Sequence, residues 1–304
     1  MGDVIAVVWD FDKTLVDGYM QDPIFAEYGV NPKDFWDENN QEVKRLQGKG
    51  MWVNPDTFYL NYFLRKIKNG PFKGLNNDRL EKLGDKIRFY PGVEEFFPAL
   101  QSAINDNKTF RTYEIKLEHY IVSTGFRRMI EGSRIKKYTK KIWGCELLED
   151  NQGIPSEIGY SIDNTTKMRA IFEISKGVGI EDRDNIDVNT KMKEEDRRVH
   201  FVNMVYVADG PSDVPAFSLI RKYGGSTFGV YPKGNKEALK QIDKLSKDGR
   251  VQMYAEADYR KDSTAYLWLI NTVETMANKI VHTKQEGLKK YSVGTPSHLN
   301  CSNL

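Results

Sequence analysis

Val4–Trp9 (VIAVVW) is an almost unbroken run of apolar, mostly β-branched residues that delivers the chain directly to Asp10. Such a run suits a strand buried on both faces, the habit of a parallel sheet. Residues 119–123 (HYIVS) and 201–208 (FVNMVYVA) share the character. Each of these two ends in a polar, glycine-bearing turn (STGFRRMIEG, DGPSDVPAFSLIRKYG) that passes into a helical pattern. Strand, turn and helix repeated at wide separation predict a doubly wound α/β fold. Ligands of such sheets bind beyond the carboxyl ends of the strands, so the three turns are expected to converge.

Between the first two runs the texture changes. Residues 18–88 lack β-branched runs and carry helical stretches punctuated by Gly and Pro, with Phe58, Phe63 and Ile67 on one stripe and Leu80, Leu83 and Ile87 on another. The expectation is a helical insertion over the sheet, with residues 1–17 and 89–290 as the α/β core. Residues 143–162 contain an Asn151-Gln152-Gly153 turn suited to a hairpin. Residues 181–198 are dense in charge without apolar periodicity, which predicts a mobile surface loop. Further along, 226–231 and 251–255 read as strands and 235–247 and 266–281 as helices. Residues 291–304 read as a flexible tail.

Composition narrows the function classes. With 45 Lys and Arg against 43 Asp and Glu, the net charge of +2 offers no global field for nucleic acid or an anionic membrane. No apolar run nears the ~20 residues that span a bilayer, and the start of the chain reads as no signal peptide. Cys145 and Cys301 are the only cysteines, so no disulfide framework forms and a cytoplasmic setting is expected. The basic run around Arg134, Lys136, Lys137, Lys140 and Lys141 reads as a solvated face.

The sharpest chemical signal is Asp10-Phe11-Asp12-Lys13-Thr14, directly after the first strand. D-x-D-x-T arises by chance on the order of 0.1 times in a chain of this length. Paired carboxylates on a turn can also serve as a helix cap. A second signal, Asp209-Gly210-Pro211-Ser212-Asp213, leaves another buried strand for a helix, where Ser212 or Asp213 could be an N-cap. Ser123-Thr124-Gly125 offers a hydroxyl and backbone N–H groups suited to phosphate, or another N-cap. Lys167 opens a helix with Met168, Ile171 and Phe172 as its apolar side. None of the four histidines falls in a turn with the acidic motifs, so a histidine metal site is not expected.

Together, in this order and spacing, the four motifs resemble the haloacid dehalogenase superfamily from Val4 to about Tyr231. The resemblance implies a Rossmann-like core and, with the insertion at 18–88, the helical cap of the phosphoserine-phosphatase-like branch. It implies Asp10 as nucleophile and Asp12 as general acid and base. It implies Mg²⁺ held by Asp10, the backbone carbonyl of Asp12 and Asp209, with Asp213 and Thr14 supporting from behind. Ser123, Thr124, Gly125 and Lys167 would hold the phosphoryl oxygens. Dehalogenase members lack the second aspartate, and P-type ATPases have Thr where Asp12 stands. The implied activity is therefore a Mg²⁺-dependent phosphatase of a small phosphorylated metabolite, with a phosphotransferase or a non-catalytic phospho-ligand-binding protein as alternatives. The branch's cap glutamate, which reads a substrate amine, has no counterpart in Asp17-Gly18-Tyr19-Met20-Gln21. Tyr19, Gln21, Trp36, Trp52 and Arg65 are the candidate substrate readers of the cap.

Overall fold

The computed structural model describes residues 2–180 and 185–292. β1 (Val4–Trp9) is buried at every position, as a strand covered on both faces must be. Four helices follow: α1 (Asp22–Tyr28), α2 (Pro32–Gly48), α3 (Phe58–Asn69) and α4 (Asn77–Gly84). The chain returns through α5 (Val93–Asn105) and α6 (Lys108–Thr112) to β2 (Lys116–Phe126), α7 (Arg127–Glu131), β3 (Thr139–Glu149) and β4 (Pro155–Tyr160). Then come α8 (Lys167–Lys176), β5 (Met204–Ala208), α9 (Val214–Lys222), β6 (Ser226–Tyr231), α10 (Lys236–Lys247), β7 (Met253–Glu256) and α11 (Thr264–Ser292). Among the described residues, no helix is long and apolar enough to cross a membrane.

The sheet runs in the order β4-β3-β2-β1-β5-β6-β7. All neighbours pair in parallel except β3 and β4, which form the hairpin expected around Asn151-Gln152-Gly153. β1 sits between β2 and β5, so the chain crosses first to one side of it and later to the other. That reversal opens a crevice at the carboxyl end of β1. Trp9 pairs with Ile121 and with Val207, so Asp10, Ser123 and Asp209 emerge along one edge. Beneath that edge the Trp9 ring packs on Phe97 at 5.3 Å and Tyr259 at 6.0 Å. Tyr259 also donates to the carbonyl of Thr14 at 2.8 Å, tying the segment between β7 and α11 to the Asp10 loop.

The four-helix segment has its own aromatic core. Phe25, Phe35, Phe63 and Phe72 stand with ring centroids 4.7–6.0 Å apart. Asn31 and Asn76 accept from the N–H groups of Lys33 and Arg79, capping α2 and α4. α4 lies on α7 at Gly84 and Gly132, where a methyl on either would overlap the other's backbone. Two paired crossings join the segment to the sheet: Asp17 N–H donates to the Arg88 carbonyl and Tyr90 N–H to the Leu15 carbonyl, both at 2.9 Å. Gly18 has φ +122° there, a conformation that other residues resist.

Several expectations need correction. β2 does not end at Ser123 in a turn; it runs on through a bulge to Phe126, which pairs with Cys145. Residues 201–203 form a 3₁₀ turn rather than the start of a strand, because the Phe201 ring stacks on Tyr223 at 4.8 Å. The last helix starts at Thr264 and continues to Ser292, past the start of the expected tail; residues 293–304 of that tail lie outside the described residues. Of the charged loop, residues 181–184 lie outside the described residues, and its other end is anchored. Arg198 is buried and grips both carboxylate oxygens of Glu118 at 2.6 Å.

Candidate active site

β1 ends on Asp10, which is buried and accepts from Thr14 Oγ1 at 2.9 Å. Lys167, the first residue of α8 and 1% exposed, places its ammonium 2.7 Å from Asp10 Oδ1 and 2.6 Å from Asp213 Oδ1. A lysine at a helix start is ordinarily solvated, and here the α8 N-terminus is driven into the crevice between two carboxylates. Asp213 is wholly buried and also accepts from Tyr206 Oη at 2.6 Å and from Ser212 Oγ at 2.9 Å. It makes no side-chain bond to the helix it precedes, so the N-cap reading of Asp213 fails. One carboxylate oxygen each from Asp10, Asp209 and Asp213 lie within 4.8 Å of one another. Asp12 is turned aside, its Oδ1 accepting the Met20 N–H at 2.7 Å.

Ser123-Thr124-Gly125 behaves less simply. Ser123 is buried and its Oγ accepts the Gly125 N–H at 3.0 Å, so that N–H is already engaged. The Thr124 carbonyl takes the Tyr59 hydroxyl at 2.6 Å. Gly125 leaves room for Met20, whose side chain a methyl group there would strike. Of the cap candidates, Tyr19 and Trp36 stand with ring centroids 6.2 Å apart, and Tyr59, which the sequence did not single out, extends the chain of rings 5.8 Å from Trp36. Gln21 is buried beside them. Trp52 is fully exposed, and Arg65 is spent on Glu42 and the face of Phe58. Neither shows a contact with the acidic site.

Two residues of the site carry no signal of their own in the sequence. Tyr206 reads as a buried strand position, and only its hydroxyl betrays a polar partner. Lys13 adopts φ +56°, and its ammonium lies 4.3 Å from the centre of the Tyr19 ring, facing Asp12 and Asp209.

Electrostatics define what the cluster lacks. Burial raises the Asp10 carboxyl above its usual range, with Lys167 only partly offsetting it. Burial, then the charge of Asp10, pushes Asp12 up to about 7. Burial and the charges of Asp10 and Asp213 raise Asp209 as well. Burial works against the Lys167 charge, but the two carboxylates outweigh it and hold the ammonium protonated. Four carboxylates thus face two ammonium groups, and the shortage of positive charge suits a divalent cation. The donor set is all oxygen, the preference of Mg²⁺ rather than of zinc or copper.

A pH dependence follows. A carboxyl whose folded pKa is raised binds its proton more tightly in the folded state than in the unfolded one. Its contribution is complete below the ordinary value near 4 and is lost as pH rises through the folded value. In EDTA the melting temperature is expected to fall between pH 5 and pH 8 through Asp10, Asp12 and Asp209, and added Mg²⁺ to flatten the fall. A melting temperature that rises over that window in EDTA would contradict this account.

No family model matches the chain. A protein of Borreliella burgdorferi described as uncharacterized is 34% identical over 290 residues, spanning 89% of this chain and 97% of its own. Among solved structures, a HAD family hydrolase of Salmonella enterica serovar Typhi overlays with a TM-score of 0.51 at 13% identity, covering 84% of this chain and 67% of that one. A phosphoserine phosphatase, held as an analogue of its phospho-aspartyl intermediate, overlays at 0.47 with 18% identity over 82% of this chain and 92% of that one, a likeness that adds nothing to the fold assignment. The four motifs gather on one edge of a fold like that of the HAD family hydrolase, and the chain belongs to one family with the Borreliella protein.

Proposed function

We propose that the protein is a Mg²⁺-dependent phosphatase of small phosphomonoesters that works through an aspartyl phosphate on Asp10. The observation that carries this reading is the buried Lys167 ammonium, 2.7 Å from Asp10 and 2.6 Å from Asp213, at the switch point of the sheet. A phosphoryl group leaves through a loose, anionic transition state, so positioning and charge neutralisation do most of the work. An Asp10 oxygen attacks phosphorus, and the bond from phosphorus to the alcohol oxygen breaks. Asp12 gives its proton to the departing oxygen; because its Oδ1 is taken by the Met20 N–H, Oδ2 is the atom that carries it. Water then attacks the aspartyl phosphate, Asp12 takes a proton from it, and inorganic phosphate leaves. Lys167 neutralises phosphoryl oxygens as a point charge. Asp10, Asp209 and the Asp12 carbonyl would hold Mg²⁺, with Asp213 supporting them, and the ion when bound would let several carboxylates face a phosphate dianion.

Asp12 at about 7 is matched to proton transfer near neutral pH. Asp12→Asn should lower kcat by roughly 10²–10⁴-fold for alkyl phosphates, the usual range for a general acid. The loss should be smaller for p-nitrophenyl phosphate, whose leaving group needs no proton. Equal losses for both would remove Asp12 from that role. Phosphate release from a panel of phosphorylated metabolites, in Mg²⁺ and in EDTA, tests the activity itself. Full turnover in EDTA rejects the metal requirement. Release of the leaving alcohol that outruns phosphate release when an acceptor alcohol is added marks a phosphotransferase, and binding without release marks a phospho-ligand-binding protein.

A further inference from the structure

Among the described residues, four polar side-chain atoms of the four-helix segment are buried without a hydrogen-bond partner: Asn77 Oδ1, on α4 beside β3, and Gln21 Oε1, Trp36 Nε1 and Asn39 Oδ1. Gln21 is 3% exposed and Asn39 2%. Trp36 and Asn39 stand three residues apart on α2 and so share a face. The Gln21 carbonyl accepts the Phe25 N–H, which puts these two residues one turn apart; the rings of Phe25 and of Tyr19, on either side of Gln21, each lie 6.2 Å from Trp36. A buried polar atom with no partner is a cost that folding alone gives no reason to keep. Three of them gathered in one part of an aromatic core are what a binding site kept at the expense of stability looks like.

The cluster also lies next to the reacting groups. Met20, immediately before Gln21, donates its N–H to Asp12 and lays its side chain against Gly125. Tyr59, 5.8 Å from Trp36, donates to the Thr124 carbonyl. We propose that Gln21, Trp36 and Asn39 receive the organic part of the phosphomonoester, and that this part ends in a hydrogen-bond donor, a hydroxyl or an amine, and not in a carboxylate. Two of the three free atoms are carbonyl oxygens. The Asn39 amide nitrogen already donates to Asn40 at 3.3 Å, which leaves its oxygen as the unpaired atom. A hydroxyl can give a proton to one oxygen and accept from the indole, and an ammonium can serve both oxygens. A carboxylate would meet two acceptors and a single donor, and none of the three residues is cationic. The proposal rests on the phosphatase reading.

The test compares ethylene glycol phosphate, phosphoethanolamine and phosphoglycolate, two-carbon phosphates that differ only at the far end. The wild type should favour one of the first two over phosphoglycolate by about thirtyfold or more in kcat/KM, since a site built for a donor rejects a group that cannot donate. Which of the two wins tells hydroxyl from amine. Gln21→Leu and Asn39→Leu should each shrink that preference about tenfold or more. Without substrate, Gln21→Leu should melt no lower than the wild type, because the oxygen it removes had no partner, and Asn39→Leu should lose no more than its single 3.3 Å bond to Asn40 contributes. A lower melting temperature for Gln21→Leu would mean that its amide holds the fold together, and the assignment would be overturned. An unchanged preference, or a preference for phosphoglycolate, would overturn it as well. If the wild type releases phosphate from these compounds but the variants do not alter the ratio, only the pocket assignment fails. If it releases none from these or from p-nitrophenyl phosphate, the phosphatase reading fails with it.

Discussion

Asp10→Asn is expected to leave less than about one per cent of wild-type phosphate release, because a covalent nucleophile has no substitute. The amide matches the carboxylate in shape but cannot attack phosphorus. The fold should survive. An amide oxygen turned to Lys167 keeps that bond, and the Thr14 hydroxyl, which now donates to Asp10 Oδ2, can rotate to accept from the new amide nitrogen. The substitution also takes one negative charge out of a cluster that has too many. In EDTA the variant should therefore melt at or above the wild-type temperature, while showing no burst of phosphate release. Residual turnover of ten per cent, or a collapsed fold, would remove Asp10 from the nucleophile's place.

Lys167→Met is expected to harm both stability and activity. It strips the ammonium from between Asp10 and Asp213 and leaves both carboxylates facing each other in a buried site. Breaking a buried pair on one side costs roughly 3–5 kcal/mol, which corresponds to a fall in melting temperature on the order of 10 °C for a chain of this size. The fall should be largest at pH 8 in EDTA and smaller at pH 5, where Asp10, already raised by burial, can take up a proton. Mg²⁺ should recover part of it. Phosphate release should drop roughly 10²–10³-fold, the loss seen when one preorganised charge is removed from a transition state. Lys167→Arg should not rescue either property, because the side chain is enclosed and a planar fork has no room where a compact ammonium fits. A variant that melts like the wild type in EDTA at pH 8 would show that Lys167 is not the counter-charge of this cluster.

The parts legible in the sequence were those governed by local pattern. The burial of Val4–Trp9 follows from β-branched residues with no polar break. Asn235 starts a helix because its side chain accepts N–H groups within the next turn, a bond that depends on nothing distant. The two aspartate motifs were legible because a turn at the end of a buried strand has few reasons to carry so many carboxylates. Less legible were the ends of elements. β2 runs past Ser123-Thr124-Gly125 because β3 keeps pairing with it, and pairing between strands is written in neither strand alone.

What the sequence by itself determined was which residues meet and in what chemical class. A doubly wound sheet must bring the ends of its strands together, and Asp10, Asp12, Asp209 and Asp213 all follow strands. What only the tertiary structure decided was how each one is used. Asp213 could have capped α9; it turns instead to Lys167, Tyr206 and Ser212, which are brought there by a distant helix, by the strand before it and by its own turn. Gln21, Trp36 and Asn39 are ordinary surface-or-core residues in the sequence, and become a set only when α1 and α2 pack and leave their polar atoms unpaired. The reason is physical: a residue type fixes what bonds a side chain can make, while burial and the arrival of partners from elsewhere in the chain decide which of those bonds are made and which are left open.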